Sequence, residues 1–291
     1  MSSTAALRML QGRTLTARSV TSFAFPREAS RLQPHRFSSS IPTAPLEAHP
    51  KQSLIRRAGI VLTLGVVCTA LGFTVAFYPA VPVVRQLLDP PTDKETLSLF
   101  EAETPAQLEI DEYIKNHHLA KELRANKSFS ESRPHLKIPE AFRSHSLTGG
   151  TLSGTGRIEV PPLAFAEEGG KSFVTLFYLG GQLSGHPGII HGGLIATILD
   201  EGMARCCFPV LPHKVGVTAT LNINYRKPAM ADSYYVFRAT TTRSEGRKAW
   251  VEGRIETLVP KGETPVVVAE ATALFVSPRQ AALMTNVYPT T

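Results

Sequence analysis

The sequence predicts an α+β architecture in which one helix packs against one mostly antiparallel sheet. Three observations carry this. From Leu147 onward, apolar and β-branched runs alternate with Gly, Pro and charged turns, in the order β-β-α-β-β-β-β. One run keeps a period of two: Val215, Val217, Ala219, Leu221, Ile223 and Tyr225 alternate with Thr218, Thr220, Asn222 and Asn224. Only one long helical stretch, His191 to Phe208, interrupts the strands, and a doubly wound fold would need helices between all of them.

The elements follow from local chemistry. Gly149, Gly150, Gly154 and Gly156 mark turns ahead of a strand at Arg157 to Val160, and Ser172 to Leu179 forms the next. Gly180-Gly181 and Gly185-His186-Pro187-Gly188 break the chain before the helix. After the alternating run come strands at Tyr234 to Thr242, Ala249 to Val259 and Pro265 to Val276. This assigns a domain to residues 140–278 and a tail to 279–291. Residues 79–139 read as a linker carrying a helix near Asp111 to Asn126, with loop over 127–146.

The N-terminal third has a different composition. Arg8, Arg13, Arg18, Arg27, Arg31 and Arg36 face a single acid, Glu28, and Ser and Thr abound. Residues 1–45 read as a mitochondrial targeting presequence rather than a merely basic arm. Gly59 to Tyr78 is apolar on every face, and no charge occurs between Arg57 and Arg85. About 20 such residues cross a bilayer core, so 59–78 is read as a transmembrane helix, ended by Pro79, Pro82, Pro90 and Pro91. Lys51, Arg56 and Arg57 precede it and only Arg85 follows closely. The positive-inside bias then expects a single-pass protein of the mitochondrial inner membrane, with its C-terminal domain in the intermembrane space.

Several chemistries are excluded. The net charge of +7 comes from the N-terminal arm, and no aromatic–basic interleaving or recognition-helix pattern points to nucleic acid. Cys68, Cys206 and Cys207 offer neither a disulfide framework nor zinc spacing. His117 and His118 are adjacent on the expected helix, point apart and lack a third ligand, so they read as polar surface. No G-x-S-x-G, Walker A, H-E-x-x-H or G-x-G-x-x-G pattern occurs in a fitting context.

What remains is His191-Gly192-Gly193-Leu194-Ile195-Ala196-Thr197-Ile198-Leu199-Asp200. Two glycines open a helix whose first N–H groups have no internal partner and lie at the positive end of the dipole. Without side chains, Gly192 and Gly193 let another molecule approach that backbone, as in an oxyanion hole. Asp200 follows two turns later, on the same face, among apolar neighbours. A carboxylate there suits a general base acting on water. A tight turn and a solvated Asp would leave the same trace.

This stretch resembles the thioesterases of the hotdog superfamily, in the phenylacetyl-CoA and Them-type branch, whose pattern H-G-G-x-x-A-T-x-x-D is matched at His191, Gly192, Gly193, Ala196, Thr197 and Asp200. A second block, Val217 to Tyr225 followed by Arg226-Lys227-Pro228, is similar to the strand after the helix in mitochondrial Them-type thioesterases. The resemblance covers about residues 140–278 and implies a hotdog fold that hydrolyses acyl-CoA to a carboxylic acid and CoA. It makes Asp200 the base or nucleophile and Gly192 the donor to the thioester carbonyl, with His191 shaping the loop and Thr218 helping to place water. Strict alternation turns Thr218 toward the polar face, where it would meet solvent or a partner. Gly193, His186, Asn222, Arg226 and Lys227 are the expected substrate contacts. Some relatives carry Asn six residues before the His, where this chain has Gly185. Either His186 or backbone takes that role, or the segment is only a turn.

CoA is part of the substrate, so no separate cofactor is implied. The fold leaves an edge strand open, and relatives pair it across a two-fold axis, so a homodimer or higher oligomer is expected. The alternative from another class is a non-catalytic acyl-CoA-binding or scaffold protein of the same fold. A hydratase would carry a different Asp/His loop.

Overall fold

A computed structural model describes residues 53–284; the presequence expected over 1–45 and the end of the tail lie outside them. The first element is helix α1 (Leu54–Phe77), in which no residue is buried. Its 24 residues extend for about 36 Å, enough to cross a hydrocarbon core of about 30 Å. The Thr63 and Thr74 hydroxyls donate to the Gly59 and Ala70 carbonyls at 2.9 and 2.8 Å, which hides their polarity within the helix. It begins before Gly59, so Arg56 and Arg57 fall in its first turns, where long cationic side chains can snorkel to a bilayer surface.

After α2 (Val81–Leu88), residues expected as a linker are built into the fold. Thr92 and Glu95 form a capping box that starts α3 (Asp93–Ser98). The helix expected over 111–126 is two helices, α4 (Pro105–Asn116) and α5 (His118–Ala125), broken at His117, whose ψ of 142° is extended. His117 is buried rather than on the surface. Its Nδ1 accepts from the Leu119 N–H at 3.3 Å and its Nε2 lies 3.0 Å from the Val259 carbonyl oxygen. The expected loop contains strand β1 (Phe129–Ser132), too short for its period to register in sequence, and a single turn, α6 (Glu140–Arg143).

The remaining strands are β2 (Leu163–Glu167), β3 (Ser172–Leu179), β4 (Ser184–His186), β5 (Ile189–Ile190), β6 (Val217–Tyr225), β7 (Ser233–Glu245), β8 (Lys248–Thr257) and β9 (Val267–Val276). Arg157 to Val160 is not a strand. Pro161 and Pro162 lack ladder donors, so pairing starts at Leu163. Seven strands form one sheet in the order β1-β2-β3-β7-β8-β9-β6, antiparallel throughout, and β4 and β5 make a separate small hairpin.

Helix α7 (Gly192–Cys207) lies across one face. Leu194, Ile195, Leu199, Met203 and Cys206 pack on Phe177, Tyr235, Phe237, Val251 and Phe275, giving the hotdog arrangement of a central helix on a sheet. Two glycines permit the close approach. A Cβ on Gly202 would stand 2.3 Å from the Phe237 ring, and one on Gly253 would stand 2.9 Å from Met203. Cys206 and Cys207 are unpaired and buried, and burial raises both thiol pKa values. On the opposite face, Ile110, Ile114 and Ala120 of α4 and α5 cover Leu163, Phe165, Val174, Leu176 and Val236. Arg133, wholly buried, ties this layer to the sheet: it pairs with Asp111, donates to the Pro161 carbonyl and lies over the Phe100 ring.

The segment after Arg133 also seals one flank of α7. A cavity of about 50 Å³ lies there, bounded by His135, Thr148, Phe173, Phe177, Glu201 and Arg205 among others. Thr148 donates to Glu201 at 2.7 Å. Burial, reinforced by Arg205 and Arg143, pushes the His135 pKa down from 6.5 to about 3, so the folded chain holds this ring neutral. Protonation therefore favours the unfolded chain. The stability His135 contributes is present above about pH 6.5 and is lost as pH falls toward about 3, at up to ~1.4 kcal/mol per unit. Urea unfolding of the full chain in nanodiscs, followed through Trp250 fluorescence, is expected to show wild type losing up to ~2 kcal/mol more than His135→Gln between pH 7 and pH 5.

Candidate active site

The chain enters α7 through a tight hairpin. Pro187 and Gly188, the latter at φ +74°, turn β4 into β5, which accounts for the Pro-Gly pair. Gly185 packs on His191: a Cβ there would lie 2.8 Å from the imidazole Cδ2, so the asparagine of some relatives has no room without moving that ring. His186 is exposed and belongs to the hairpin, paired with Ile189.

His191 is the N-cap of α7. Its φ and ψ of −59° and 126° are non-helical, and its Nδ1 accepts the Gly193 N–H at 2.9 Å, which puts the ring proton of the neutral form on Nε2. The Gly193 N–H is thereby committed inside the protein. The Gly192 N–H, by contrast, has no acceptor among the described residues. The reasons for the two glycines also differ. A Cβ on Gly193 would press on His191 at 2.9 Å, whereas one on Gly192 would reach no atom closer than 3.7 Å, an ordinary contact with the Tyr225 ring. The fold itself does not require glycine at 192.

Asp200 sits half-buried on the flank of α7 that faces β6. Its Oδ1 accepts a hydrogen bond of 2.8 Å from the Thr218 hydroxyl. Strict alternation along β6 would have turned Thr218 away. The pairing instead skips at Ala219, with Thr218 opposite Phe275 and Thr220 opposite Leu274. This bulge moves Thr218 to the helix side, together with Leu221 and Ile223, which pack against the core. Asn222 falls on the far face, opposite Thr272, and does not join Asp200.

Tyr225, at the other end of β6, donates its hydroxyl hydrogen to the Gly192 carbonyl at 2.8 Å. Sequence reasoning missed this residue, because an aromatic at the end of a strand reads as core; here it is 54% exposed. An open groove runs from Gly192 past Ile189, Ile195 and Tyr225 to Arg226, Lys227 and Pro228. Arg226 is exposed and pairs with Glu270 at 2.8 Å, and Lys227 is exposed beside it. The groove thus joins an unused backbone donor to a cationic end.

Gly192 and Asp200 do not form a single locus. Eight residues of helix separate them by about 12 Å along the axis, too far for one carbonyl group to meet both. Meanwhile β6 is the uncovered edge of the sheet, with seven of its nine residues exposed. At the other edge, β1 is short and Ser130 is bonded to Asp93 at 2.6 Å.

Residues 187–264, which hold β5, α7, β6, β7 and β8, match the Thioesterase superfamily. UPF0644 protein PB2B4.06 of Schizosaccharomyces pombe is 36% identical over 185 residues, which are 62% of this chain and 70% of that protein. The chain belongs to the thioesterase superfamily. A mitochondrial protein of Candida albicans is 36% identical over 143 residues, 49% of this chain and 64% of its own length. Acyl-coenzyme A thioesterase THEM4 of Mus musculus is 40% identical over 106 residues, 36% of this chain. The chain spans 43% of that enzyme's length.

The glycines give a direct test of which constraints are internal. Gly192→Ala is expected to keep its unfolding free energy within about 0.5 kcal/mol of wild type. Gly202→Ala, which drives a methyl into Phe237, is expected to lose about 1–3 kcal/mol. Urea titration of both variants checks this, and equal losses would contradict it.

Proposed function

We propose that this protein hydrolyses acyl-CoA thioesters at a site shared by two copies of the chain. The observation that carries the reading is the Asp200 carboxylate, held by the Thr218 hydroxyl at 2.8 Å beside the open edge of a thioesterase-superfamily sheet. The Gly192 N–H lies about 12 Å away on the same helix. Pairing two β6 edges across a two-fold axis lets Asp200 of one copy face Gly192 of the other, and it covers the exposed edge.

In the proposed reaction the thioester carbonyl oxygen rests on the Gly192 N–H, at the positive end of α7. Asp200 removes a proton from water as the water oxygen bonds to the carbonyl carbon. The tetrahedral oxyanion collapses, the carbon–sulfur bond breaks, and the sulfur takes back the proton held by Asp200, leaving as CoA thiol beside the free carboxylic acid. Thr218 fixes the orientation of the carboxylate through Oδ1 and leaves Oδ2 for the water. The groove toward Arg226 and Lys227 suits pantetheine with phosphates at its cationic end. His186 serves the hairpin, and no contact with the carbonyl is assigned to it.

Two substitutions separate the roles. Asp200→Asn keeps the shape and is expected to lower kcat about 10²–10⁴-fold. Gly192→Pro removes the N–H and adds ring carbons beside Tyr225: proline is accepted at the first helical position, and His191 already has the extended ψ that a following proline demands. It is expected to fold and to lose about 10²-fold or more. The two are then co-expressed with different tags and the heterodimer purified. It combines one intact site with one doubly impaired site and is expected to recover about half the wild-type rate. A heterodimer as inactive as its parents would overturn the shared site. Wild type that binds CoA yet turns over no member of an acyl-CoA panel would leave only the binding role.

The same reading places the chain in the mitochondrial inner membrane, with the C-terminal domain in the intermembrane space. The fully exposed apolar helix α1, the arginine-rich and acid-poor arm before it, and the mitochondrial Candida albicans relative support this. Carbonate extraction of mitochondria is expected to leave the full-length protein in the membrane pellet, and recovery in the soluble fraction would refute the anchor.

A further inference from the structure

The first peptide unit of α7 is gripped at both poles. The peptide that joins Gly192 to Gly193 presents its oxygen to the Tyr225 hydroxyl at 2.8 Å and its N–H to His191 Nδ1 at 2.9 Å. The two grips come from different elements, the edge strand β6 and the N-cap. The unit needs them: consecutive glycines have the widest choice of backbone conformation, and the first turn of a helix lacks the i−4 bonds that hold later turns. Left alone, this peptide could rotate and turn the Gly193 N–H outward as a competing donor. The preceding peptide is fixed separately, since the His191 carbonyl accepts from the Leu194 and Ile195 N–H groups at 2.9 and 3.3 Å. With both peptides fixed, the Gly192 N–H is the donor left pointing out of the first turn.

We infer that Tyr225 is a positioning residue that holds the Gly192–Gly193 peptide against His191, so that the Gly192 N–H alone is presented to the substrate carbonyl. This deepens the thioesterase reading and rests on it. Tyr225 has no role of its own in the core, because it is 54% exposed and its phenol has one hydrogen-bond partner among the described residues, the Gly192 carbonyl. Its ring also forms the wall over Gly192, at 3.7 to 3.8 Å from where a Cβ would stand. The hydroxyl thus orients the donor while the ring bounds the space above it. An interaction that acts on the oxyanion more than on the bound substrate appears in kcat rather than in KM.

The test uses the full chain in nanodiscs with a medium-chain acyl-CoA as probe. Tyr225→Phe removes one oxygen atom and keeps the ring. It is expected to lower kcat about three- to tenfold, the size of one neutral hydrogen bond, with KM and the urea midpoint unchanged. Hydrogen exchange read by mass spectrometry on wild type and variant gives a measure independent of turnover. The Gly193 and Leu194 amides are expected to exchange severalfold faster in Tyr225→Phe, because the peptide then loses its tie to β6. Unchanged exchange would overturn the inference even if wild type hydrolyses no thioester. An active wild type matched by Tyr225→Phe in kcat would overturn it as well. An inactive wild type in which Tyr225→Phe still accelerates exchange would refute the thioesterase reading and leave the grip intact.

Discussion

The position of α7 on the sheet governs everything the candidate site does. Gly202 lets the helix come so near to β7 that no Cβ would fit against Phe237, and Gly253 yields similarly to Met203. Densely packed interiors do not absorb such changes smoothly. With the helix at this depth, one flank faces β6 and carries Asp200, while the other faces Phe173, Phe177 and His135. The catalytic reading concerns the first flank only.

β6 is lashed to α7 at two places, Thr218 to Asp200 and Tyr225 to Gly192. These hydrogen bonds hold the strand beside the helix without covering its outer edge, which is the requirement for a strand that is to pair with a second copy. The segment 93–139 works in the opposite sense. It covers the far side of β2, β3 and β7 with α4 and α5, and it ends the sheet at the short strand β1. One edge is closed by the chain's own extension, and the other is left open. A buried Arg133 paired with Asp111 keeps the extension in register, and such an ion pair is directional even where its net stabilisation is small.

The two donors at the start of α7 divide their work by geometry. The Gly193 N–H completes the N-cap on His191, and the Gly192 N–H points out of the helix. A helix terminus and a carboxylate two turns later are common in proteins and carry no chemistry in themselves. What sets them apart here is the open edge beside them, the hydroxyl bonded to the carboxylate, and the groove that leads to Arg226 and Lys227.

Much of this was legible in the chain itself. The single long helix, the antiparallel strands after it, the exposed apolar helix near the N-terminus and the pairing of Gly192 with Asp200 as candidates all follow from periodicity, turn chemistry and residue type, because those signals are local. Three features were not. Strand β1 and the packing of α4 and α5 depend on contacts with residues far along the chain, and a four-residue run has no readable period. The Thr218 contact depends on a bulge at Ala219, and a one-residue slip in pairing leaves no mark in an alternating sequence. Asn222 was grouped with the site for the same reason, and the shifted pairing puts it on the other face. The role of Tyr225 arises only where the end of a strand meets the start of a helix 33 residues earlier. Residue chemistry and local pattern therefore determined the elements and the candidate donors and acceptor. Tertiary structure decided which side chains meet, because strand register and helix depth are set by packing between distant segments rather than by neighbours in sequence.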